Sequence, residues 1–451
     1  MSGATVSGAP ADVAAELLRL VRAREPGAEA EVLARRGNEA LTRFANGSIH
    51  QNVAEETRHV SLRVALDGHV ATAKLDGATD EEALRRLVGH AFDAARVRPV
   101  DPDWPGCTPP SPAPAVDHWD EGSASATPDE RARLVGAFVA AASGLTTAGF
   151  CSTESQAVAY ASSLGQQLEG RSTLAVLDCI ARTGTADGSA HLAAIGLDGL
   201  DGALAGSRAA EKARAASDPT DLEPGRYEVV LEPTCVADVF DFLYRYGFSG
   251  RAVEECRSFV RPGERQFDPA ISLRDDVTNP GVSGLGFDAE GTPRLPLDVI
   301  LSGVTSAVLH TRRTAAKAGA RSTGHALEGG ERWGQLMANP VLTGGDRSLE
   351  ELVAGVERGT LVTDFWYTRI LDPRTEVVTG LTRNGVWLIE DGRIARPVRN
   401  LRFTQSYVDA LAPGSVRGVG SEQALIPIGG GTALVPALHL AGWNFTGGAR
   451  G

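Results

Sequence analysis

The sequence lacks the features that mark membrane proteins, nucleic-acid-binding proteins and disulfide-stabilised proteins. No apolar run approaches the ~20 residues that a membrane-spanning helix needs, so no membrane association is expected. The formal net charge is -13 and no Lys/Arg-rich cluster is present, so direct binding to nucleic acid is not expected either. The five cysteines are odd in number and form no CxxC pair, which fits reduced thiols better than a disulfide framework.

The N-terminal segment also lacks the basic start and the continuous apolar stretch of a secretory signal peptide. Val13, Leu17 and Val21 recur on one helical face instead, which predicts an amphipathic helix. We therefore expect a cytoplasmic protein. The composition, 42% hydrophobic and 22% charged, is that of an ordinary globular protein. At 451 residues, the chain has room for about two to four domains of the usual size.

The pattern of apolar residues and turns predicts an α+β fold in two domains. In the first half, short strands at 30–34 and 41–44 precede a period-two segment that turns at Asp67-Gly68, which indicates an antiparallel sheet with helices. A Pro-Gly turn at Pro224-Gly225 marks the boundary between an N-terminal domain, 1–222, and a C-terminal domain, 223–451. Closely spaced strand signals in the second half predict a barrel-like or strongly curved sheet.

The stretch from Arg226 to Phe259 reads as a buried strand that feeds a helix. Many folds place reactive groups where a strand ends and a helix begins. Here the helix carries Asp238 and Asp241 three residues apart on one face, but it has no histidine. We interpret these two carboxylates as capping and solvating the helix rather than as a catalytic pair, since Asp238 is predicted to lie in the first turn.

Five blocks, taken in chain order, carry a resemblance to a known family. They are RFAN at 43–46, EPGRYEVVLEP at 223–233, FDAEG at 287–291, STG at 322–324, and SLEEL at 348–352 leading to GTLVT at 359–363. Together they resemble the TldD/PmbA (TldE) proteins, which are called modulators of DNA gyrase and grouped with metalloproteases. The resemblance implies a two-domain α+β architecture and a partnership between two related subunits, of which only one carries zinc.

The zinc-bearing TldD-type proteins carry a zinc-binding motif that this chain lacks. In that type, the helix after the VVL-type strand holds HExxxH, and a distant cysteine completes the site. Two imidazoles and a thiolate hold Zn²⁺ with a position left for water, and the glutamate takes the proton of that water. No histidine of this chain is followed by glutamate, and no cysteine follows Cys256. The resemblance therefore implies a PmbA/TldE-like chain with no catalytic residue, no metal ligand and no cofactor.

The functional hypothesis is a zinc-free partner subunit of a TldD-like metallopeptidase. The two chains are expected to form a heterodimer that acts in proteolysis or maturation of small or unfolded peptides, with a homodimer left open, and this chain is expected to be inactive alone. One alternative is a stand-alone enzyme with metal-free peptide-modifying or hydrolytic chemistry, for which Cys256 and His325 are the first candidates. Another is a structural homodimer with no peptide role.

Two groups of residues are predicted to lie at the cleft or at a partner contact. They are Ser322, Thr323, Gly324 and His325 in the STG segment, and Phe242 and Tyr246 where a zinc-bearing relative would hold its metal. Three further features have a structural interpretation as well as a functional one. His191 and His310, which could in principle pair with Cys235 or Cys256, are read as ordinary hydrogen-bonded histidines. Gly429–Gly431 is read as a turn rather than a phosphate-binding loop. Phe365–Tyr367 is read as the lining of a peptide groove or as residues buried in the core or at a subunit contact.

Overall fold

The structure is a computed structural model that describes residues 8–330 and 334–448. The first half contains a six-stranded antiparallel sheet in the order β3-β2-β1-β4-β5-β6. Its strands are β1 (Glu29–Ala45), β2 (Ser48–Leu66), β3 (His69–Asp76), β4 (Thr146–Ser162), β5 (Gln167–Arg182) and β6 (Asp187–Ala194). Its helices are α1 (Pro10–Arg24), α2 (Glu81–Val97), α3 (Glu121–Ala124), α4 (Pro128–Ala141) and α5 (Gly202–Ala215), with a 3₁₀ turn at Leu197–Gly199.

Strand β1 is a single strand of 17 residues, so the predicted pair of short strands at 30–34 and 41–44 was wrong. The polar residues between those two stretches stay extended because β1 is central and pairs along most of its length with both β2 and β4. Every backbone group in this region therefore has a partner in a neighbouring strand. The strand follows the period-two rule throughout, so its side chains alternate between two faces.

Helices cover one face of this sheet and leave the other face to the second half of the chain. Helices α1 and α2 pack on one part of the covered face around Val32, Leu62 and Phe92. Helices α4 and α5 pack on the rest around Phe138 and Leu177. The start of α4 follows its sequence signal, since Thr127 and Glu130 form a capping box with Pro128 in the first turn.

The second half forms a mixed sheet of 11 strands. The strands are β7 (Gly225–Leu231), β8 (Leu273–Asp275), β9 (Leu297–Leu301), β10 (Val304–Thr305), β11 (Pro340–Leu342), β12 (Arg358–Asp372), β13 (Val377–Glu390), β14 (Arg393–Pro397), β15 (Leu401–Ser406), β16 (Val416–Ile428) and β17 (Gly431–Gly448). The helices are α6 (Pro233–Phe242), continued by a π-helical turn at Leu243–Phe248, α7 (Gly250–Glu254), α8 (Arg312–Ala318), α9 (Leu349–Ala354) and α10 (Tyr407–Ala410).

Five strands of the second sheet close on themselves. They run in the order β7-β12-β13-β15-β17, and β17 pairs with both β15 and β7. The aromatic rings of Phe365, Phe403 and Trp443 pack against one another, with Trp443 5.2 Å from Phe365 and 5.3 Å from Phe403 between centroids. The predicted α+β class, with an antiparallel N-terminal sheet and a barrel-like C-terminal half, is confirmed.

The uncovered face of the first sheet meets the second half of the chain through apolar and ionic contacts. Leu33 and Tyr160 of the first sheet pack with Phe287 in one cluster. Beside them, the buried side chain of Arg312 contacts the carboxylate of Glu31. These contacts fix the two halves on either side of a cleft. Among the described residues, no helix combines the length and the apolar content that a membrane crossing requires.

Candidate functional site

The cleft between the two sheets consists of three adjoining cavities. The central cavity has a volume of about 630 Å³, and it shares Leu33 and Leu327 with a cavity of about 670 Å³ beside α8, the α8 cavity. On its other side it shares Glu154 and Pro427 with a cavity of about 610 Å³ beside α6, the α6 cavity. Shared lining residues make these spaces one continuous groove.

One face of α6 lines the α6 cavity. Thr234, Ala237, Asp238 and Asp241 recur at helical spacing and all border it. The opposite face, including Val236 and Phe240, is buried in the core of the second half. The strand-then-helix stretch that the sequence singled out therefore does present a row of side chains to the cleft, and the only ionisable groups in that row are carboxylates.

Asp238 is held by residues from other elements and does not cap α6, so the predicted capping role was wrong. The helix begins at Pro233, with Glu232 as its N-cap, which places Asp238 beyond the first turn. Its carboxylate accepts hydrogen bonds from Thr368 Oγ1 at 2.9 Å and from Tyr407 Oη at 3.0 Å. Burial raises the pKa of Asp238 to about 7, although these two hydrogen bonds oppose the shift. Near neutral pH this carboxyl can therefore hold or release a proton.

Phe242 and Tyr246, predicted to occupy the position of the metal, form a stacked pair at the end of α6. Their ring centroids are 5.8 Å apart, and Phe242 also packs edge-on against Tyr407. Both side chains are partly buried. In the same stretch of helix, Asp241 is paired with Arg245, whose Nη2 lies 3.0 Å from Oδ2 of Asp241. This end of the helix is thus occupied by rings and an ion pair.

The single histidine that lines the α6 cavity, within the part of the chain described, is His191. It lies between two carboxylates, with Nε2 3.1 Å from Asp364 Oδ2 and Nδ1 3.2 Å from Asp178 Oδ1. Burial alone would lower the pKa of His191, but the two carboxylates raise it to about 10. Asp364 also accepts hydrogen bonds from Ser189, Thr234 and Asn384. The imidazole is therefore a cation with both nitrogens engaged.

These residues do not fit a zinc ion of the family type. The α6 face offers carboxylates only, and a protonated imidazole cannot donate a lone pair to a metal. Cys235 lies on the buried side of α6, and burial raises the pKa of its thiol well above the ordinary value. Within residues 8–330 and 334–448, no three His, Cys, Asp or Glu side chains group as a metal site would require.

The predicted STG segment lies at the edge of the cleft, with its histidine turned inward. His325 is 1% exposed, its Nδ1 lies 2.8 Å from Thr323 Oγ1, and its Nε2 is 3.6 Å from Asp275. Ser322 and Thr323 bind the carbonyl of His310. Gly324 adopts a positive φ of 77°, and a Cβ there would meet the Pro293 carbonyl oxygen at 2.7 Å. The next residues, Ala326–Glu328, line the central cavity.

The structure does not bring together the side chains considered for thiol chemistry. Cys256 is exposed at the end of α7, whereas the His325 ring is engaged by Thr323. His191 is engaged by carboxylates, and the Cys235 thiol donates to the Thr363 carbonyl at 3.4 Å. His310 contacts Thr314. Within the described residues, none of the ring nitrogens of His191, His310 and His325 hydrogen-bonds to a cysteine.

The glycine run and the aromatic triplet both border the cleft. Gly429-Gly430 forms the turn between β16 and β17, as predicted, and its residues line the central cavity. Of the triplet, Phe365 packs in the aromatic core, while Trp366, 53% exposed, lines the α6 cavity under the guanidinium of Arg383. Tyr367 is 66% exposed and adopts a positive φ of 55°.

Sequence reasoning missed the residues that line the floor and roof of the central cavity. Leu33, Arg35, Gly37 and Glu39 alternate along β1 on the uncovered face. The period-two pattern of β1 would have placed them on one face had the strand been predicted whole. No comparable signal marks Arg294, which lies in an irregular loop opposite.

Comparisons with known proteins agree with this architecture. A family model described as the PmbA/TldA metallopeptidase C-terminal domain matches residues 224–447, and one described as PmbA/TldA metallopeptidase domain 1 matches residues 30–95. A metalloprotease of Methanothermobacter thermautotrophicus is 25% identical over 225 residues, which cover 48% of each chain. A metalloprotease of Synechocystis is 26% identical over 227 residues, or 48% of this chain and 47% of the relative. The match thus spans about half the length of these curated relatives.

Two solved structures share the fold over nearly the whole chain. A protein of Thermotoga maritima described as a modulator of DNA gyrase superposes with a TM-score of 0.85 at 20% identity, covering 96% of this chain and 100% of that one. TldE from Thermococcus kodakarensis superposes with a TM-score of 0.84 at 20% identity, with the same coverage of 96% and 100%. At this identity the likeness shows the fold alone.

Proposed function

Because the chain belongs to the PmbA/TldD metallopeptidase family, we propose that it is a zinc-free, TldE-like subunit that works beside a zinc-bearing, TldD-like partner. The pair would act in proteolysis or maturation of small or unfolded peptides in the cytoplasm. The single observation that carries the proposal is the α6 face. Where the zinc-bearing type holds HExxxH, this helix presents Thr234, Ala237, Asp238 and Asp241 to the cleft.

The charge state of the cleft supports the same proposal. His191 is bound between Asp364 and Asp178, so it is not available as a metal ligand. The shape of the cleft supports a peptide ligand, since three adjoining cavities form a groove longer than a single small molecule requires. Four of the five cysteines are buried free thiols, which is consistent with a reducing compartment.

The test is to purify the chain alone and together with a zinc-bearing, TldD-like relative. Elemental analysis is expected to find no stoichiometric zinc in the chain alone, and an unfolded peptide is expected to remain intact with it. The mixture is expected to cleave that peptide and to lose activity with a chelator, while sedimentation measures whether the complex is a heterodimer. Stoichiometric zinc in the isolated chain, coupled to peptidase activity, would contradict the proposal.

Asp238 favours a second candidate function, metal-free hydrolysis by the chain itself. This carboxyl lines the α6 cavity, and its pKa of about 7 suits a group that exchanges protons with a substrate. Chelator-resistant peptide turnover by the isolated chain, lost in Asp238→Asn, would support it. Turnover that is unchanged in Asp238→Asn would remove Asp238 from this role.

A further inference from the structure

Two arginines from opposite sides of the cleft line the central cavity. Arg35 projects from β1 on the uncovered face of the first sheet, where it lies opposite His59 on β2 and Val158 on β4. Arg294 lies in the loop before β9, in the second half of the chain. Burial and, to a smaller extent, the charge of Arg35 lower the pKa of Arg294, while the charges of Asp275 and Asp288 oppose the shift. Like charges facing one cavity create a site for an anion.

Hydrogen bonds within residues 8–330 and 334–448 do not saturate the donors of either guanidinium. The Nε atom of Arg294 donates to the carbonyl of Gly324 at 3.0 Å. The charges of Asp275 and Asp288 act on Arg294, but within the described residues neither carboxylate forms an ion pair with it. Asp275 accepts the amides of Ala338 and Asn339, and Asp288 accepts three backbone amides. The side chain of Arg35 is exposed to the cavity. An arginine fork that is left partly open suits a planar, two-oxygen ligand such as a carboxylate.

The floor of the cavity beside Arg35 is shaped for an extended chain. Gly37, the next residue on this face of β1, lines the cavity in the interior of a long strand. A Cβ at Gly37 would lie 2.8 Å from Thr57 Oγ1, so this position of the strand sends no side chain into the cavity. Beyond it, Glu39 lies directly opposite Glu154 on β4, and both line the same cavity. Along β1 the cavity lining therefore runs from the cation of Arg35 to this pair of carboxylates, and Asp288 and Glu328 also line the cavity.

We propose that Arg35 and Arg294 bind the carboxylate of a short peptide that lies extended over Gly37, with its other end toward Glu39 and Glu154. The spacing supports this, because Arg35 and Glu39 are four residues apart on one strand, about 13 Å at ~3.3 Å per residue. An extended peptide of roughly four residues spans that distance. This inference rests on the proposed peptide function, and it adds a preferred end group and direction.

The test measures peptide binding to the isolated full-length chain by titration calorimetry. The probes are a neutral tetrapeptide with a free C-terminal carboxylate, the same peptide amidated, and an amidated peptide with one internal aspartate. The free acid is expected to bind at least about tenfold more tightly than the neutral amide, because the amide cannot accept a charge-assisted hydrogen bond from the guanidinium. Arg35→Gln is expected to abolish that difference.

Arg36→Gln is the matched control. Arg36 neighbours Arg35 on β1 but projects to the other face, where its Nε bonds Glu56 at 3.0 Å. The Arg36→Gln variant is expected to bind the free acid as tightly as the wild type does. Arg294→Lys is the second variant, because it keeps the charge and removes the planar fork. It is expected to weaken binding of the free acid and to leave binding of the amide unchanged.

Tight binding of the free acid alone, lost in Arg35→Gln, would support the proposal. Equally tight binding of the internal aspartate peptide would overturn the preference for an end group. Equal binding of acid and amide, equal losses in Arg35→Gln and Arg36→Gln, or no binding of any probe would overturn the proposal. None of these results depends on zinc or on the partner subunit, so a negative result here would leave the hydrolysis test of the partner role intact.

Discussion

The Nε2 atom of His191 lies 3.1 Å from Oδ2 of Asp364, and this contact joins β6 of the first sheet to β12 of the second. Burial acts to raise the pKa of Asp364. The charge of His191 outweighs burial and, together with hydrogen bonds from Ser189 and Asn384, holds that pKa well below its ordinary range. The same pair raises the pKa of His191. It therefore fixes the two walls of the α6 cavity relative to each other.

Replacing His191 with glutamine is expected to destabilise the protein by on the order of 3 kcal/mol at pH 7, because it leaves the buried Asp364 without its cation. The folded-state pKa of His191 is about 10, above the unfolded value of ~6.5. Its contribution is therefore complete below pH ~6.5 and is lost as the pH rises toward 10. Urea denaturation of wild type and variant across this range checks the prediction.

His50→Gln, on the exposed part of β2, is the control for the His191 variant and is expected to change the free energy of unfolding by less than about 0.5 kcal/mol. A difference between wild type and the His191 variant that stays constant from pH 6.5 to 10 would show that the charge of His191 carries no stability.

The sequence predicted much of the fold because its local signals agree with the tertiary structure. The Asp67-Gly68 turn and the strand before α6 lie where their patterns placed them. Thr127 and Ser348 form capping boxes with the glutamates three residues further on. The length of β1 was not predicted, because its polar middle is extended only through pairing with β2 and β4. Pairing between distant segments leaves no local signal.

The site was predictable in its position and not in its contacts. The absence of histidine on α6 is a property of the sequence, and the structure adds that this face borders the cleft. By contrast, Asp238 is bound by Thr368 and Tyr407, which lie more than a hundred residues away along the chain. His191 meets Asp364 across 173 residues. No spacing rule connects such positions.

Glu376 is a buried carboxyl whose titration is expected to weaken the fold. It is 0% exposed, neither carboxylate oxygen has a hydrogen-bond partner, and burial together with the charge of Asp372 raises its pKa to about 9. The pKa of Glu376 is ~4.3 in the unfolded state and about 9 in the folded state, which therefore keeps the proton to higher pH. Glu376 thus lowers the free energy of unfolding as the pH rises from ~4.3 to 9. Glu376→Met is expected to stabilise the protein by roughly 2–3 kcal/mol at pH 7.

Thermal and urea unfolding of Glu376→Met between pH 5 and pH 9 tests this expectation. The gain over wild type is expected to grow with pH, while Glu390→Met, at an exposed position of β13, is expected to give no such trend. A gain that is the same at pH 5 and pH 9 would mean that packing, and not the proton, is responsible.

Gly206 on α5 permits close contact with α4, and its replacement by alanine is expected to destabilise the protein. A Cβ at Gly206 would lie 2.4 Å from the Phe138 carbonyl oxygen, which belongs to the backbone and cannot move aside alone. The expected loss is about 1–3 kcal/mol. Gly136→Ala on α4 is the control, since nothing lies within 4 Å of a Cβ there.

The control variant Gly136→Ala is expected to stabilise the protein by about 0.5–1 kcal/mol through helix propensity. Chemical denaturation of both variants gives the two values. Opposite signs are the expected result, and two stabilised variants would show that α4 and α5 have room to separate.

Arg312 stabilises the contact between the two halves of the chain on the far side of the cleft. Its guanidinium contacts the buried carboxylate of Glu31 and lies 3.4 Å from Glu290. Burial raises the pKa of Glu31, and the charge of Arg312 is the largest opposing influence on that pKa.

Arg312→Met is expected to lower the free energy of unfolding by about 3–5 kcal/mol at pH 7.5, because Glu31 then stays buried without its main partner. The loss is expected to be smaller at pH 5, since Glu31 takes up a proton more readily once Arg312 is gone. Arg313→Met, which affects a more exposed pair with Asp101, is expected to cost less than about 1 kcal/mol at either pH. Urea denaturation at both pH values measures all four differences, and equal losses for the two variants would mean that the Arg312–Glu31 pair does not hold the two halves together.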